Sequence, residues 1–156
     1  MDVTIRKATV EDARQLALLL ASIGWFESFK GADAEASTAR VGAHLRACLA
    51  DRSHSVYVAE TQPMAILGYG SVHWLPYLFM TGPEGYVSEL FVSESARGQG
   101  VGQRLLDSIE IEARARGCQR LHLVNLRNRE SYQRQFYIKA GWKERVEAAN
   151  FVYPLS

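Results

Sequence analysis

The sequence holds little that would mark a specialised architecture, and each shortage excludes something. Its 156 residues contain two cysteines, Cys48 and Cys118. They form no CxxC pair, which argues against a zinc site or a disulfide framework and predicts two reduced thiols. Net charge is nearly absent: 18 Lys+Arg face 17 Asp+Glu, for a formal charge of +1. There is no basic run of the kind that tracks a nucleic-acid backbone and no acidic tail, so bulk electrostatics names no partner. No apolar run approaches membrane-spanning length, and the opening MDVTIRKATVEDA alternates and carries charge, unlike a signal or transit peptide. A cytoplasmic protein with neither nucleic acid nor membrane as partner is the expectation. Repeats, low-complexity tracts and linkers are also missing.

What is present suits one compact core: 47% of the residues are hydrophobic, enough for a single domain spanning 1–156. Residues 2–7 alternate as a strand. Thr9 and Asp12 then form an S/T-x-x-D/E start before Ala13, Leu16, Leu19, Leu20 and Ile23, which recur at helical spacing. A polar, small-residue loop leads to a second helix with Val41, Leu45, Cys48 and Leu49 on one face. SVYVAE (55–60) and AILGYGSVHWL (65–75) read as a hairpin turning at TQPM, and 76–85 as a loop with two prolines and two glycines. A strand over 86–92 follows, then a helix over about 100–116 with Val101, Leu105 and Ile109 inward and Gly117 as its stop. RLHLVNL predicts a strand, 129–140 a short helix ending at Gly141, and GWKERV and NFVYPL two closing strands.

Between the strand SELFV and the next helix stand Gly98, Gly100 and Gly102, at alternate positions. A strand entering a helix through glycines presents unpaired N–H groups and a positive helix end, with no β-carbons in the way. That is an anion site, most naturally for a phosphate or diphosphate. The dinucleotide fingerprint GxGxxG fails because Gln103 occupies its third glycine and Cys118 its acidic position. The Walker A pattern fails for want of Gly-Lys-Ser/Thr.

Arg97-x-x-Gly100-x-Gly102 after that strand resembles the R/Q-x-x-G-x-G/A motif of the GCN5-related N-acetyltransferases (GNAT), and FYIKAGW at 136–142 resembles their F/L-Y-x-K-x-G-F/W segment. The order of elements is similar along essentially the whole chain. The resemblance implies a mixed, largely antiparallel α/β sheet of about six or seven strands flanked by about four helices, and acetyl-CoA as cosubstrate with no metal. It implies that Arg97, Gly98, Gln99, Gly100, Val101 and Gly102 hold the diphosphate, and that backbone amides of Leu90, Phe91 and Val92 receive pantetheine beside a bulge in the strand. Arg104, past the turn, has the phosphates and solvent both open to it, and solvent is the expectation. Asn128 would cap the following helix and touch CoA, although the position seven before the tyrosine, asparagine in many members, is Glu130 here.

Acetyl transfer to an amine needs the ammonium proton removed and the departing thiolate protonated. By the resemblance Glu89 is the base, desolvated by Val87, Leu90, Phe91 and Val92, which would raise its pKa; Tyr137 is the acid, with Tyr132 its nearest decoy. His44, His54, His73 and His122 are scattered and lack metal-site spacing. His73, leading into the acceptor loop, is a candidate substrate-orienting residue or proton relay. Trp25, Phe26, Trp74, Tyr77 and Phe79 would shape the acceptor pocket. Cys118 has no histidine to activate it, so direct transfer in a ternary complex is expected. Glu27, Asp33, Glu35 and Glu84 in the acceptor loops suit a small cationic amine, with amino-sugar antibiotics, polyamines and aminophosphonates all open. A protein or peptide acceptor, or a non-catalytic acyl-CoA sensor, are the alternatives. The apolar NFVYPL permits a homodimer.

Overall fold

The computed structural model describes residues 2–62 and 64–156, so Pro63 of the TQPM turn lies outside the described residues. The chain forms two compact units, Met1–His122 and Leu123–Ser156.

In the first unit β1 (Val3–Lys7) leads through a short turn at Val10–Asp12 into α1 (Ala13–Ile23). Thr9 N–H donates to Asp12 Oδ2 at 2.8 Å, which sets that entry. Gly24, left-handed at φ 76°, ends α1. A turn at Glu27–Phe29 precedes α2 (Ala34–Cys48), which is capped by the Asp33 carboxylate accepting from Ala36 N–H at 2.9 Å.

Strands β2 (His54–Thr61), β3 (Ala65–Leu75) and β4 (Glu84–Val92) follow, then α3 (Val101–Ala115) and β5 (Arg120–Leu123). Spatial order is β1-β2-β3-β4-β5, and the first three pairings are antiparallel. β5 runs along the start of β4 in the same direction: Gln119 N–H donates to Pro83 O at 2.9 Å, and the His122 ring stacks on Tyr86 at 4.7 Å. The sheet is therefore mixed and mostly antiparallel. Among the described residues it has five strands, where six or seven were expected.

Period-two alternation sorts the sheet residues between two layers. On one face Val56, Val58 and Tyr69 pack against Leu16, Leu19, Val41 and Leu45 of α1 and α2. On the other, Val3 and Ala59 pack against Val101 and Leu105. The α3 row predicted inward holds: Val101, Leu105 and Ile109, one turn apart, are fully buried. Burying each such side chain is worth about 1.5–3 kcal/mol. β4 begins at Glu84 rather than at 86, because Arg120 and His122 draw the Glu84 carboxylate beneath the sheet edge, where it is 1% exposed.

The second unit departs most from expectation. The single helix read over 129–140 is two separate turns, α4 (Glu130–Gln133) and α5 (Phe136–Lys139). Gln135 between them is left-handed at φ 56°, which no α-helix accommodates. The closing strands read at GWKERV and NFVYPL do not form, and residues 142–156 have no regular structure. A strand exists only through a ladder partner, and Phe151, Tyr153 and Leu155 stand nearly fully exposed.

Candidate active site

Glu89 owes its position to an irregularity in β4. Ser71 of β3 faces Glu89, but Val72 faces Val87, so Ser88 is an extra residue and forms a bulge. The bulge re-aims the strand and sets Glu89 on the α1/α2 face, where the Tyr69 hydroxyl donates to its Oε1 at 3.0 Å. Burial pushes the Tyr69 phenol well above its ordinary pKa, with the Glu89 charge adding to the effect, so it stays a donor. Glu89 itself is exposed. The expected cover from its strand neighbours is therefore absent.

Below Glu89 lies a cavity of about 590 Å³. Leu16 and Leu20 of α1, Val41 and Leu45 of α2, and Phe26 and Phe29 of the intervening segment supply its apolar wall. Its polar lining includes Arg40, His44, Cys48, His54, His73 and Glu89, with the hydroxyls of Ser28, Tyr69 and Ser71. Predicted residues Glu89, His73 and Phe26 thus come together.

With Arg40, His54 is among the lining residues that sequence reasoning missed. It sits opposite His73 across the β2–β3 pair, with the rings stacked at 3.9 Å. Nε2 of His54 bonds to Ser71 Oγ, and Nε2 of His73 to Ser88 Oγ at 3.0 Å. Burial, with His73 adding to it, pushes the His54 pKa down to about 4, so the ring is neutral at pH 7. One signal was available: Tyr69, Ser71 and His73 are polar residues at alternate positions of an otherwise apolar strand, hence on one face.

Four expected lining residues lie elsewhere, among them Phe79, which is exposed beside Tyr77. Trp74 follows His73 in β3, so it points to the opposite face; it is buried there, with Nε1 donating to Ser55 Oγ at 3.0 Å and the Arg116 guanidinium over its ring. Tyr77 bonds the Glu84 carboxylate instead of lining the cavity. Trp25 sits edge-on to Phe91 at 6.0 Å with the Arg97 guanidinium over its ring, beside the glycine turn.

In that turn two of the three glycines are required by conformation. Gly98 and Gly100 are left-handed, at φ 74° and 78°, and a β-carbon on either would meet nothing within 4 Å. Gly102 is already in the first turn of α3. The side chain of Val101 is buried and that of Gln99 donates to Ser95 O at 2.8 Å, so these two offer an anion only their backbone N–H groups. The residues fit a diphosphate: open glycine backbone, a helix N-terminus, and Arg97 at its edge. Leu90 and Val92 turn their side chains into the α3-side core while Phe91 faces the aromatic cluster. β5, four residues long and in register with the start of β4, ends before β4 reaches Glu89.

In the second unit Tyr137 is half-buried in α5, edge-on to Phe136 at 4.9 Å and Trp142 at 5.9 Å. Burial pushes its pKa up to about 12. Left-handed Gly141 folds the chain back so that Trp142 N–H reaches Tyr137 O at 2.9 Å, which explains the G-W pair after the tyrosine. Tyr132, the decoy, is committed to Glu144. Asn128 is not the cap of α4: Arg129 occupies that position, because the helix begins one residue later than expected, and Asn125 Oδ1 instead accepts from Ser131 Oγ at 3.0 Å.

Both thiols are pushed up by burial, Cys48 further by Glu89, so neither supplies a thiolate at neutral pH. Among the described residues no group of three or more His, Cys, Asp or Glu is placed to hold a metal ion.

Comparison with known proteins places the chain and its fold. An acetyltransferase of Agrobacterium fabrum is 41% identical over 58 residues, covering 36% of this chain and 42% of that protein. The thialysine N-epsilon-acetyltransferase of Mus musculus is 30% identical over 67 residues, 43% of this chain and 39% of that protein. The chain thus spans about two fifths of the length of the curated relatives it matches. The crystal structure of a transcriptional regulator from Bacillus halodurans C-125 superposes with a TM-score of 0.79 at 27% identity, covering 97% of this chain and 100% of that one. The profile of the acetyltransferase (GNAT) family matches residues 20–142, more than half of the sequence, and the chain belongs to that family.

Proposed function

We propose that the protein is an N-acetyltransferase that moves the acetyl group of acetyl-CoA to a primary amine of a small molecule arriving as an ammonium cation, by direct transfer in a ternary complex. The observation that carries this reading is an exposed carboxylate at a strand bulge, Glu89, on the strand that feeds the left-handed Gly98/Gly100 turn at the head of α3.

In this reading Glu89 takes the ammonium proton, directly or through water, and the amine nitrogen forms its bond to the acetyl carbon as the carbon–sulfur bond breaks. Tyr137 gives its proton to the thiolate, a task that suits a phenol protonated throughout the neutral range. The N–H groups of the 97–102 turn receive the diphosphate, and those of Leu90–Val92 the pantetheine. His73 and Phe26 position the acceptor. A cavity of about 590 Å³ is of the size that small-molecule sites have, which supports a small acceptor. The family match crosses from the first unit into the second, which supports one catalytic domain over 1–156. The proposal includes a homodimer, supported by the exposed apolar tail, and a cytoplasmic location, supported by two free thiols.

Release of CoA thiol from acetyl-CoA against a panel of aminoglycosides, polyamines, aminophosphonates, amino acids and peptides tests it, with Glu89→Gln and Tyr137→Phe alongside. Turnover on one small-molecule class, cut at least about tenfold by either substitution, is expected. Tight acetyl-CoA binding with no turnover on any amine would replace the enzyme with a sensor.

A further inference from the structure

The charges around the cavity decide what kind of amine fits. Four loop acids, Glu27, Asp33, Glu35 and Glu84, pointed from the sequence to a cationic acceptor, yet none of them lines the cavity. Glu27 pairs with Lys30 at 2.6 Å, Asp33 caps α2, and Glu84 is buried under Arg120 and His122. Among the described residues the lining holds one carboxylate, Glu89, and one permanent cation, Arg40.

Arg40 is held in place. Its guanidinium lies over the Phe29 ring at 4.5 Å, and one Nη2–H donates to Ser28 O at 3.1 Å. Among the described residues no carboxylate pairs with it. A guanidinium carries five N–H donors in a planar fork, and one bond to a carbonyl leaves most of that fork unspent. Such a fork matches a carboxylate or phosphonate two bonds at a time, and the contacts with Phe29 and Ser28 O hold it at the cavity beforehand.

We infer that the acceptor is a zwitterion, an amine whose other end is a carboxylate or phosphonate held by Arg40. This rests on the acetyltransferase reading above and narrows it. In a largely apolar cavity each buried charge needs an opposite partner. A zwitterion finds one at each pole, the ammonium at Glu89 and the acid at Arg40. A polyamine or an aminoglycoside brings surplus ammonium groups against an arginine, with a single carboxylate to answer them. His54, neutral at pH 7, offers hydrogen bonds without changing this balance.

The test uses matched pairs differing only in the acid: 2-aminoethylphosphonate against ethylamine, and 4-aminobutyrate against butylamine, with spermidine and an aminoglycoside beside them. Wild type, Arg40→Gln and Arg40→Lys are each assayed for kcat and KM. Binding of the same amines to the CoA-loaded protein is followed by calorimetry. Wild type should prefer the acid-bearing member of a pair by about tenfold or more in kcat/KM. Arg40→Gln should erase that ratio through KM, and Arg40→Lys should keep part of it, because charge survives while the fork is lost. The stronger pair names the acid. Arg40 also braces the Glu27–Phe29 turn, but loss of that brace would lower both members of a pair together and leave the ratio intact. An unchanged ratio in Arg40→Gln therefore overturns the inference, as does preference for a neutral or polycationic amine. Acid-selective binding lost in Arg40→Gln with no turnover at all would uphold the recognition and overturn the enzyme reading. Turnover with no acid selectivity would do the reverse.

Discussion

Acidification from pH 7 to pH 5 should weaken the fold through one imidazole. His54 lies between His73, stacked at 3.9 Å, and Ser71, with the Asp51 carboxylate giving only a small opposing pull. Its folded pKa is about 4, against 6.5 for an ordinary histidine. Below pH 6.5 the unfolded chain therefore binds a proton that the folded one refuses, and stability falls as pH falls until about pH 4. For that pair of values the loss by pH 5 is about 2 kcal/mol, and because the ring keeps some solvent exposure about 1 kcal/mol is the working figure. Asp12, Glu84 and Glu112 have pKa values lowered from an already acidic starting point, so the stability they contribute is lost below this window. Urea unfolding at pH 7 and pH 5 on wild type and His54→Gln isolates the effect, since glutamine keeps a polar contact for Ser71 but does not titrate. Wild type should lose about 1 kcal/mol more than the variant across the interval. Equal losses in the two proteins would refute a neutral, buried His54.

Gly68 of β3 faces Val92, and a β-carbon there would lie 2.8 Å from the Phe91 carbonyl oxygen, a backbone atom that has no way to step aside. Gly68→Ala should cost about 1–3 kcal/mol, read as a lower urea midpoint at unchanged slope. With the Tyr137 phenol at about 12, kcat should show no alkaline fall up to pH 10; a limb near pH 8 that vanishes in Tyr137→Phe would contradict that environment. Gly100→Ala forces a β-carbon into a left-handed residue at the head of α3. It should raise the KM for acetyl-CoA at least severalfold while costing only about 1 kcal/mol of stability; an unchanged KM would remove the turn from the cosubstrate site.

Features local in sequence were the legible ones. Val101, Leu105 and Ile109 recur one turn apart, and that spacing alone requires a buried helix face. The hairpin of β2 and β3 was readable because both partners alternate and are separated by a short turn. Gly98 and Gly100 were readable because few residues other than glycine adopt their backbone. By contrast, alternation in GWKERV and NFVYPL encodes a face but not a partner, and among the described residues no ladder forms there. Gln135, an ordinary residue in an unusual conformation, gave no warning that 129–140 would break in two.

The site divides along the same line, and the reason is register. Glu89 and His73 stand out singly in apolar strands, but whether they share a cavity depends on the extra residue at Ser88, which shifts the pairing by one and decides which face each later side chain takes. Without that bulge a β4 that enters with Tyr86 across from His73 would bring Glu89 opposite Gly70 rather than Ser71, on the other face of the sheet from His73. Nothing in EGYVSELFV marks Ser88 as the inserted residue. His54 and Arg40 were hidden for a related reason: one joins the site only through a cross-strand pair, the other only through a helix laid over the sheet. A residue's chemistry is written in its name, but its company is set by pairings many positions away. The acceptor preference therefore had to be read from Arg40 and Glu89 across one cavity, and not from the charge of the loops.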